Sequence, residues 1–131
     1  MDCLFCALIA GEIPSKRVYE DDAALAFLDI APWQEGHTVV VPKRHTVDVL
    51  ADDDALAEIA PAVARVGRLL KERLGADACT VLSNAGAASG QEVFHTHVHV
   101  LPRWEDNPGV ANMRTRVTAD LDDVWRRIAE G

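Results

Sequence analysis

No apolar run in the sequence approaches the roughly 20 residues that a membrane-spanning helix needs. A spanning protein is therefore not expected. Basic residues are also short: 13 Lys and Arg against 21 Asp and Glu leave a net charge of −8. Such a surface repels a phosphate backbone, which argues against nucleic acid as a partner, although a local pocket can still hold a small anion. Cysteines number three, an odd count that does not support a disulfide framework. The first residues, Met1-Asp2-Cys3-Leu4-Phe5-Cys6, carry no basic stretch, so no secretory signal is expected and the cytoplasm is the expected compartment. Repeats, low-complexity tracts and linkers are missing too. With 131 residues, one domain is expected over 1–131, with a core to about residue 103 and a tail over 104–131.

What is present reads as alternating short elements. Asp2 is placed to cap a short helix over 3–10, with Gly11 after it. Residues 17–20 and 24–28 read as strands around the Asp21-Asp22 turn. The β-branched run 38–41 reads as a buried strand ending at Pro42. Leu56, Ile59, Ala60, Val63, Gly67, Leu70 and Leu74 repeat at helical spacing, and Gly75 supplies a stop. Pro61 inside this pattern predicts either a kink or a restart. Strands are expected at 78–83 and 93–101, the second ended by Pro102, with a small-residue loop at 84–90 between them. A last helix is expected over 118–130, with Leu121, Val124, Trp125 and Ile128 on one face. This order predicts an α+β fold: an antiparallel sheet of about five strands, one long helix and short terminal helices.

The five histidines are not scattered. His37 and His45 flank the strand ending at Pro42, and His95, His97 and His99 alternate along one expected strand. Alternate strand residues share a face, so the three imidazoles should project together while Thr96, Val98 and Val100 point into the core. Three readings follow: a solvent-facing strand, a metal site, or nucleophilic and acid–base catalysis.

The run His95-Thr96-His97-Val98-His99-Val100-Leu101 resembles the His-φ-His-φ-His-φ-φ signature of the histidine-triad superfamily, with Thr96 in place of a hydrophobic residue. Similarity extends through Phe5, Glu12-Ile13-Pro14, Glu20-Asp21-Asp22, Ala26-Phe27-Leu28-Asp29-Ile30, Gly36-His37, Val41-Pro42-Lys43-Arg44-His45, Ser83-Asn84 and Gly90-Gln91-Glu92-Val93-Phe94. The small bacterial nucleotide-binding proteins are the branch it resembles. That resemblance implies a purine nucleotide hydrolase or transferase of the phosphoramidase type, with an AMP-type ligand and a two-fold dimer joined across the long helix and a neighbouring strand.

It also implies residue roles. His97 would attack the α-phosphate and carry the nucleotide covalently, oriented by a backbone carbonyl near His95. His99 and His37 would contact phosphate. Gln91 and Asn84 would donate to phosphate oxygens or the leaving-group bridge, and Gly90 would let the backbone approach. Asp29 and Ile30 would hold the ribose; Leu4, Phe5 and Leu8 would wall the base. Cys3, Cys6, His45 and His95 would close a structural zinc site, since bacterial relatives with this start look like zinc binders. Glu92 departs from relatives that carry a hydroxyl there, and a carboxylate turned inward would disfavour anionic leaving groups. Rival readings are dinucleoside polyphosphate cleavage, a nucleotide-binding regulator, and a zinc hydrolase ligated by the triad itself. Trp33, Trp104 and Trp125 receive no role.

Overall fold

Two stripes of apolar side chains on opposite faces of each central strand determine the architecture. In the computed structural model, which describes residues 3–109 and 114–130, helix α1 (Leu4–Ile9) is followed by strands β1 (Arg17–Glu20), β2 (Ala24–Leu28) and β3 (Thr38–Pro42). Helix α2 (Ala55–Leu74), strand β4 (Ala78–Leu82), a 3-10 turn (Ala87–Ser89), strand β5 (Val98–Arg103) and helix α3 (Leu121–Ala129) complete the chain. The strands form one antiparallel sheet in the order β1-β2-β3-β5-β4. The expected α+β fold is therefore the observed one. No helix of the described residues is long and apolar enough to cross a membrane.

Ala24, Ala26, Val40, Val98 and Val100 face α2, where they meet Ile59, Ala62, Val66 and Leu70. Their neighbours Leu25, Phe27, Val39 and Val41 face the other way, against Phe5 and Leu8 of α1. The period-2 alternation thus feeds two cores. Odd-numbered residues of β3 and β5 share the α1 side, which brings His99 there beside Val39, its registered partner.

Several local expectations change. Asp2 lies outside the described residues; the observed N-cap of α1 is Cys3, whose Sγ accepts from the Cys6 amide at 3.3 Å. Helix α2 runs unbroken through Pro61. Pro61 lies on the exposed face, where the carbonyl that loses its intrahelical partner can bond to water. The buried face of α2 is Ala55, Ile59, Ala62, Val66 and Leu70, rotated from the stripe read in the sequence, so Leu56 and Leu74 are largely exposed. Helix α3 is shorter than expected, capped by Asp120, and none of its residues is buried; Leu121 and Ile128 are about 80 % exposed.

The correction that matters most concerns β5. The strand starts at Val98, not Val93, and it includes Pro102. Pro42 ends β3, and the chain beyond it carries His45 and Thr46 alongside the run into β5. The Thr96 N–H therefore bonds to the Thr46 carbonyl at 2.7 Å instead of a strand partner. The two buried threonine hydroxyls meet at 2.5 Å. This is why Thr96 is accommodated where the signature has an apolar residue.

Candidate active site and metal centre

Because residues 93–97 bend before β5 begins, the three histidines do not all project together. His97 and His99 share a pocket, their ring centroids 4.9 Å apart, while His95 turns toward the cysteines of α1. All three are buried, as is His37.

Backbone groups of unambiguous role fix each ring's tautomer. His97 Nδ1 lies 2.7 Å from the His95 carbonyl, so Nδ1 carries the proton and the Nε2 lone pair is free. The Trp33 backbone N–H donates to His37 Nδ1 at 3.1 Å, so the His37 proton is on Nε2. That proton is donated to His99 Nδ1 at 2.8 Å, which leaves His99 with its own N–H on Nε2. His95 Nε2 donates to the Pro42 carbonyl at 2.8 Å, turning its Nδ1 lone pair toward Cys3 and Cys6. One lone pair, on His97, and one N–H, on His99, thus remain unpartnered in residues that line the same pocket.

Burial holds these rings neutral. It lowers the pKa of His37, His95 and His97, and together with His97 and His37 it brings His99 down to about 4. Asp29 opposes the effect at His37; its Oδ2 is 3.8 Å from His37 Nε2, while its Oδ1 accepts the Ala31 N–H at 2.8 Å. Asp29, His37 and His99 also converge closely enough to resemble a metal triad. The His37 proton fills the position a cation would need, so the arrangement works as a hydrogen-bonded chain.

The pocket, of about 150 Å³, is lined by Phe5, Asp29, Ala31, Trp33, Val39, Gly90, Glu92, Val93, His97 and His99. It gathers Phe5, Asp29, Gly90, His97 and His99 from the residues named in the sequence, with His37 directly behind His99. Others are elsewhere. Ile30 is 97 % exposed and Leu4 is 47 % exposed, off the pocket wall; Leu8 is buried in the α1 core. Asn84 stands beside Gly90, whose φ of +104° is a backbone conformation that a residue with a side chain rarely adopts. Gln91 is buried, and its amide is fully engaged: Oε1 accepts from the Gly86 N–H, and Nε2 donates to the Val47 and Val93 carbonyls. It shapes the loop and does not reach the pocket.

Two contributors were not read from the sequence. Trp33 stacks on His99 with centroids 4.5 Å apart and tilts over His37 at 4.8 Å, so one residue contacts both rings. Ser83 Oγ donates to the His97 carbonyl at 2.6 Å. Nothing in local sequence marks Trp33; Ser83 could have been noticed beside Asn84 in the similarity to the histidine-triad pattern.

The second centre joins α1 to the sheet. Cys3 Sγ, Cys6 Sγ, His45 Nδ1 and His95 Nδ1 all lie within 4.8 Å of one another. The two nitrogens are 3.1 Å apart, and three nitrogen–sulfur pairs are 3.4, 3.4 and 3.6 Å apart. A tetrahedral zinc with usual bond lengths sets edges of about 3.3 Å for N···N and about 3.6 Å for N···S. The donor set fits that ion, and the His95–Pro42 bond is the outer support a zinc-bound imidazole needs. As thiols they sit poorly: burial and the adjacent Cys3 push Cys6 up to about 11.

Comparison with known proteins agrees with this geometry. The HIT domain family model matches residues 10–106. An uncharacterized HIT-like protein of Mycobacterium tuberculosis is 50 % identical over 133 residues, covering 99 % of this chain and 92 % of that one. Among solved structures, a histidine triad nucleotide-binding protein from Candida albicans superposes with a TM-score of 0.83 at 30 % identity, covering 98 % of this chain and 94 % of that one. A zinc-bound histidine triad family protein from Mycobacterium smegmatis gives 0.76 at 38 % identity, covering 96 % and 89 %. With the triad, the sheet order and the match over most of its length in agreement, this chain belongs to the HIT domain family.

Proposed function

We propose that this protein hydrolyses purine nucleoside phosphoramidates in two steps through a nucleotidyl-His97 intermediate. One observation carries the reading: His97 Nδ1–H is held by the His95 carbonyl, leaving Nε2 as a free lone pair in a pocket beside the His99 N–H. A neutral imidazole so oriented is a good nucleophile toward phosphorus and a good leaving group afterwards.

In the first step the Nε2 pair forms a bond to phosphorus as the P–N bond to the amine breaks. The electron pair leaves with the amine nitrogen, which takes a proton from solvent. The phosphorylated ring becomes an imidazolium, and the His95 carbonyl dipole supports that charge. Water then attacks phosphorus, returns a proton to solvent, and the P–Nε2 bond breaks with its pair restored to the ring. The sum is substrate plus water giving nucleoside monophosphate plus amine. His99 Nε2–H donates to a phosphoryl oxygen, and His37 behind it shares the charge. Asp29 would accept from the ribose hydroxyls, and Phe5, 5.0 Å from the His97 ring, would wall the base. Gly90 lets the loop backbone approach the phosphate.

We further propose that Cys3, Cys6, His45 and His95 hold a structural zinc. The ion would supply a cross-link between α1, the segment after β3 and the segment before β5. A homodimer is supported by the edge strand β4 with exposed Val81 next to exposed Leu56 of α2.

Single-turnover mixing with an adenosine phosphoramidate of a fluorescent amine tests the reaction. Wild type should release amine rapidly, with AMP bound covalently to His97 in alkaline-quenched samples. His97→Ala should bind AMP and release no amine. Amine release by His97→Ala at the wild-type rate would refute the assignment.

A further inference from the structure

We propose that Glu92 makes this site selective for leaving groups that are neutral or cationic, so that its substrates are phosphoramidates of amines carrying positive charge and not dinucleoside polyphosphates. The inference rests on the reading of His97 as nucleophile. It comes from the charges that surround the pocket.

Two carboxylates, Asp29 and Glu92, line the pocket with His97 and His99, and no lysine or arginine does so among the described residues. The two imidazoles offer the pocket one lone pair and one N–H, since the His95 carbonyl holds His97 Nδ1–H and His99 Nδ1 accepts from His37. Basic residues on neighbouring strands and loops are engaged elsewhere. Arg17 and Lys43 pair with Glu20, and Arg44 pairs with both Asp52 and Glu58. The chain as a whole adds a field of the same negative sign, with a net charge of −8.

A nucleoside phosphoramidate brings a single negative charge, on the phosphoryl group, which the His99 N–H can receive. A dinucleoside polyphosphate brings one for every phosphate, and its leaving group is itself a polyanion. Among the described residues this pocket has no Lys or Arg to meet it. The two carboxylates also differ in their availability. Asp29 is committed to the Ala31 amide and faces His37. Glu92 is exposed, and among the described residues it has no hydrogen bond or ion pair. It stands next to Gly90 and Val93 on the wall that also holds His97. An ammonium group on the departing amine would give that carboxylate a partner; a phosphate would be repelled by it.

The test uses adenosine phosphoramidates of three amines that differ only at a distant end, which carries an ammonium, a methyl or a carboxylate. Their kcat/KM values are measured on wild type, Glu92→Gln and Glu92→Lys, with a dinucleoside tetraphosphate as a fourth substrate. Because each substrate is compared across variants, differences in amine basicity cancel. Wild type should prefer the ammonium over the carboxylate form by about tenfold or more, the size expected for one charge pair near a protein surface. Glu92→Gln should cut that preference to within about threefold; Glu92→Lys should reverse it and raise tetraphosphate cleavage relative to the methyl substrate. An unchanged ratio in Glu92→Gln, or no preference in wild type, overturns the proposal. Should wild type release no amine from any of the three, the phosphoramidase reading fails instead. The charge preference is then read from equilibrium binding of the same compounds to His97→Ala and its Glu92→Gln double variant, where a preference that ignores Glu92 overturns it equally.

Discussion

Lowering the pH should weaken this fold through His99, and the size of the effect follows from the site. Burial, together with His97 and His37, holds the His99 pKa at about 4 in the folded protein, against the ordinary imidazole value near 6.5 in the unfolded chain. The unfolded state therefore binds a proton first as pH falls. The contribution of His99 to stability is complete above about pH 6.5. It is lost progressively as the pH drops toward 4, where the folded form also protonates. That interval corresponds to about 3 kcal/mol, a large part of the stability of an ordinary domain. The ring is only 5 % exposed and its Nδ1 is occupied by the His37 N–H, so solvent does little to relieve the cost of charging it. Urea unfolding of wild type and His99→Gln at pH 7.5 and at pH 4.5 isolates it. The variant loses the same hydrogen bond at both pH values, and any pH sensitivity of the cysteine–histidine centre is common to both proteins. Wild type should lose about 2–3 kcal/mol more than the variant between the two conditions. Equal losses in the two proteins would show that His99 is not held neutral by burial, and the reading of its Nδ1 as acceptor of the His37 N–H would go with it.

Other consequences follow. If Cys6 must give up its proton to bind zinc from a pKa of about 11, affinity should rise by about tenfold per pH unit between pH 6 and 9 from that thiol alone, as read by competition with a chromophoric chelator; Cys6→Ser should remove that slope. Trp33→Ala removes the ring stacked on His99 but leaves a site that was half exposed, so it should cost only about 1 kcal/mol in urea unfolding while lowering kcat more than it raises KM, with Trp33→Phe restoring most of the rate. Ile59→Ala, at a fully buried position of α2 facing the sheet, should cost about 2–5 kcal/mol in the same unfolding measurement.

Much of the fold is legible in local pattern. The turn at Asp21-Asp22 holds because Asp21 Oδ1 accepts from both the Ala23 and Ala24 amides, a side-chain bond that short-range sequence predicts. Gly75 ends α2 with a φ of +69°, as a glycine stop should. The β-branched run of β3 is buried from end to end. The rotation of α2 was not legible, because Leu56, Ala60 and Val63 fit a helical stripe as well as Ala55, Ala62 and Val66 do. Small alanines win the sheet-facing positions because they let the helix lie close on β2, β3 and β5. Gly36 shows the same close approach: a Cβ there would stand 2.6 Å from Leu74 Cδ1.

At the site, residue types and their order were written in the sequence: five histidines, two cysteines three apart, a small-residue loop and an aspartate after β2. These determine which chemistry is available, since only imidazole and thiol offer those lone pairs near neutral pH. Which histidine does what was decided by tertiary structure. His97 and His95 are two residues apart and chemically identical, yet one bonds to a neighbouring carbonyl and the other to the carbonyl of Pro42, 53 residues earlier. Trp33 sets the tautomer of His37, and His37 that of His99, across 62 residues. Gln91, given to phosphate by the family resemblance, is held in the loop by three backbone partners. A ring's protonation site depends on what lies against each nitrogen, and those neighbours meet only when distant strands are paired.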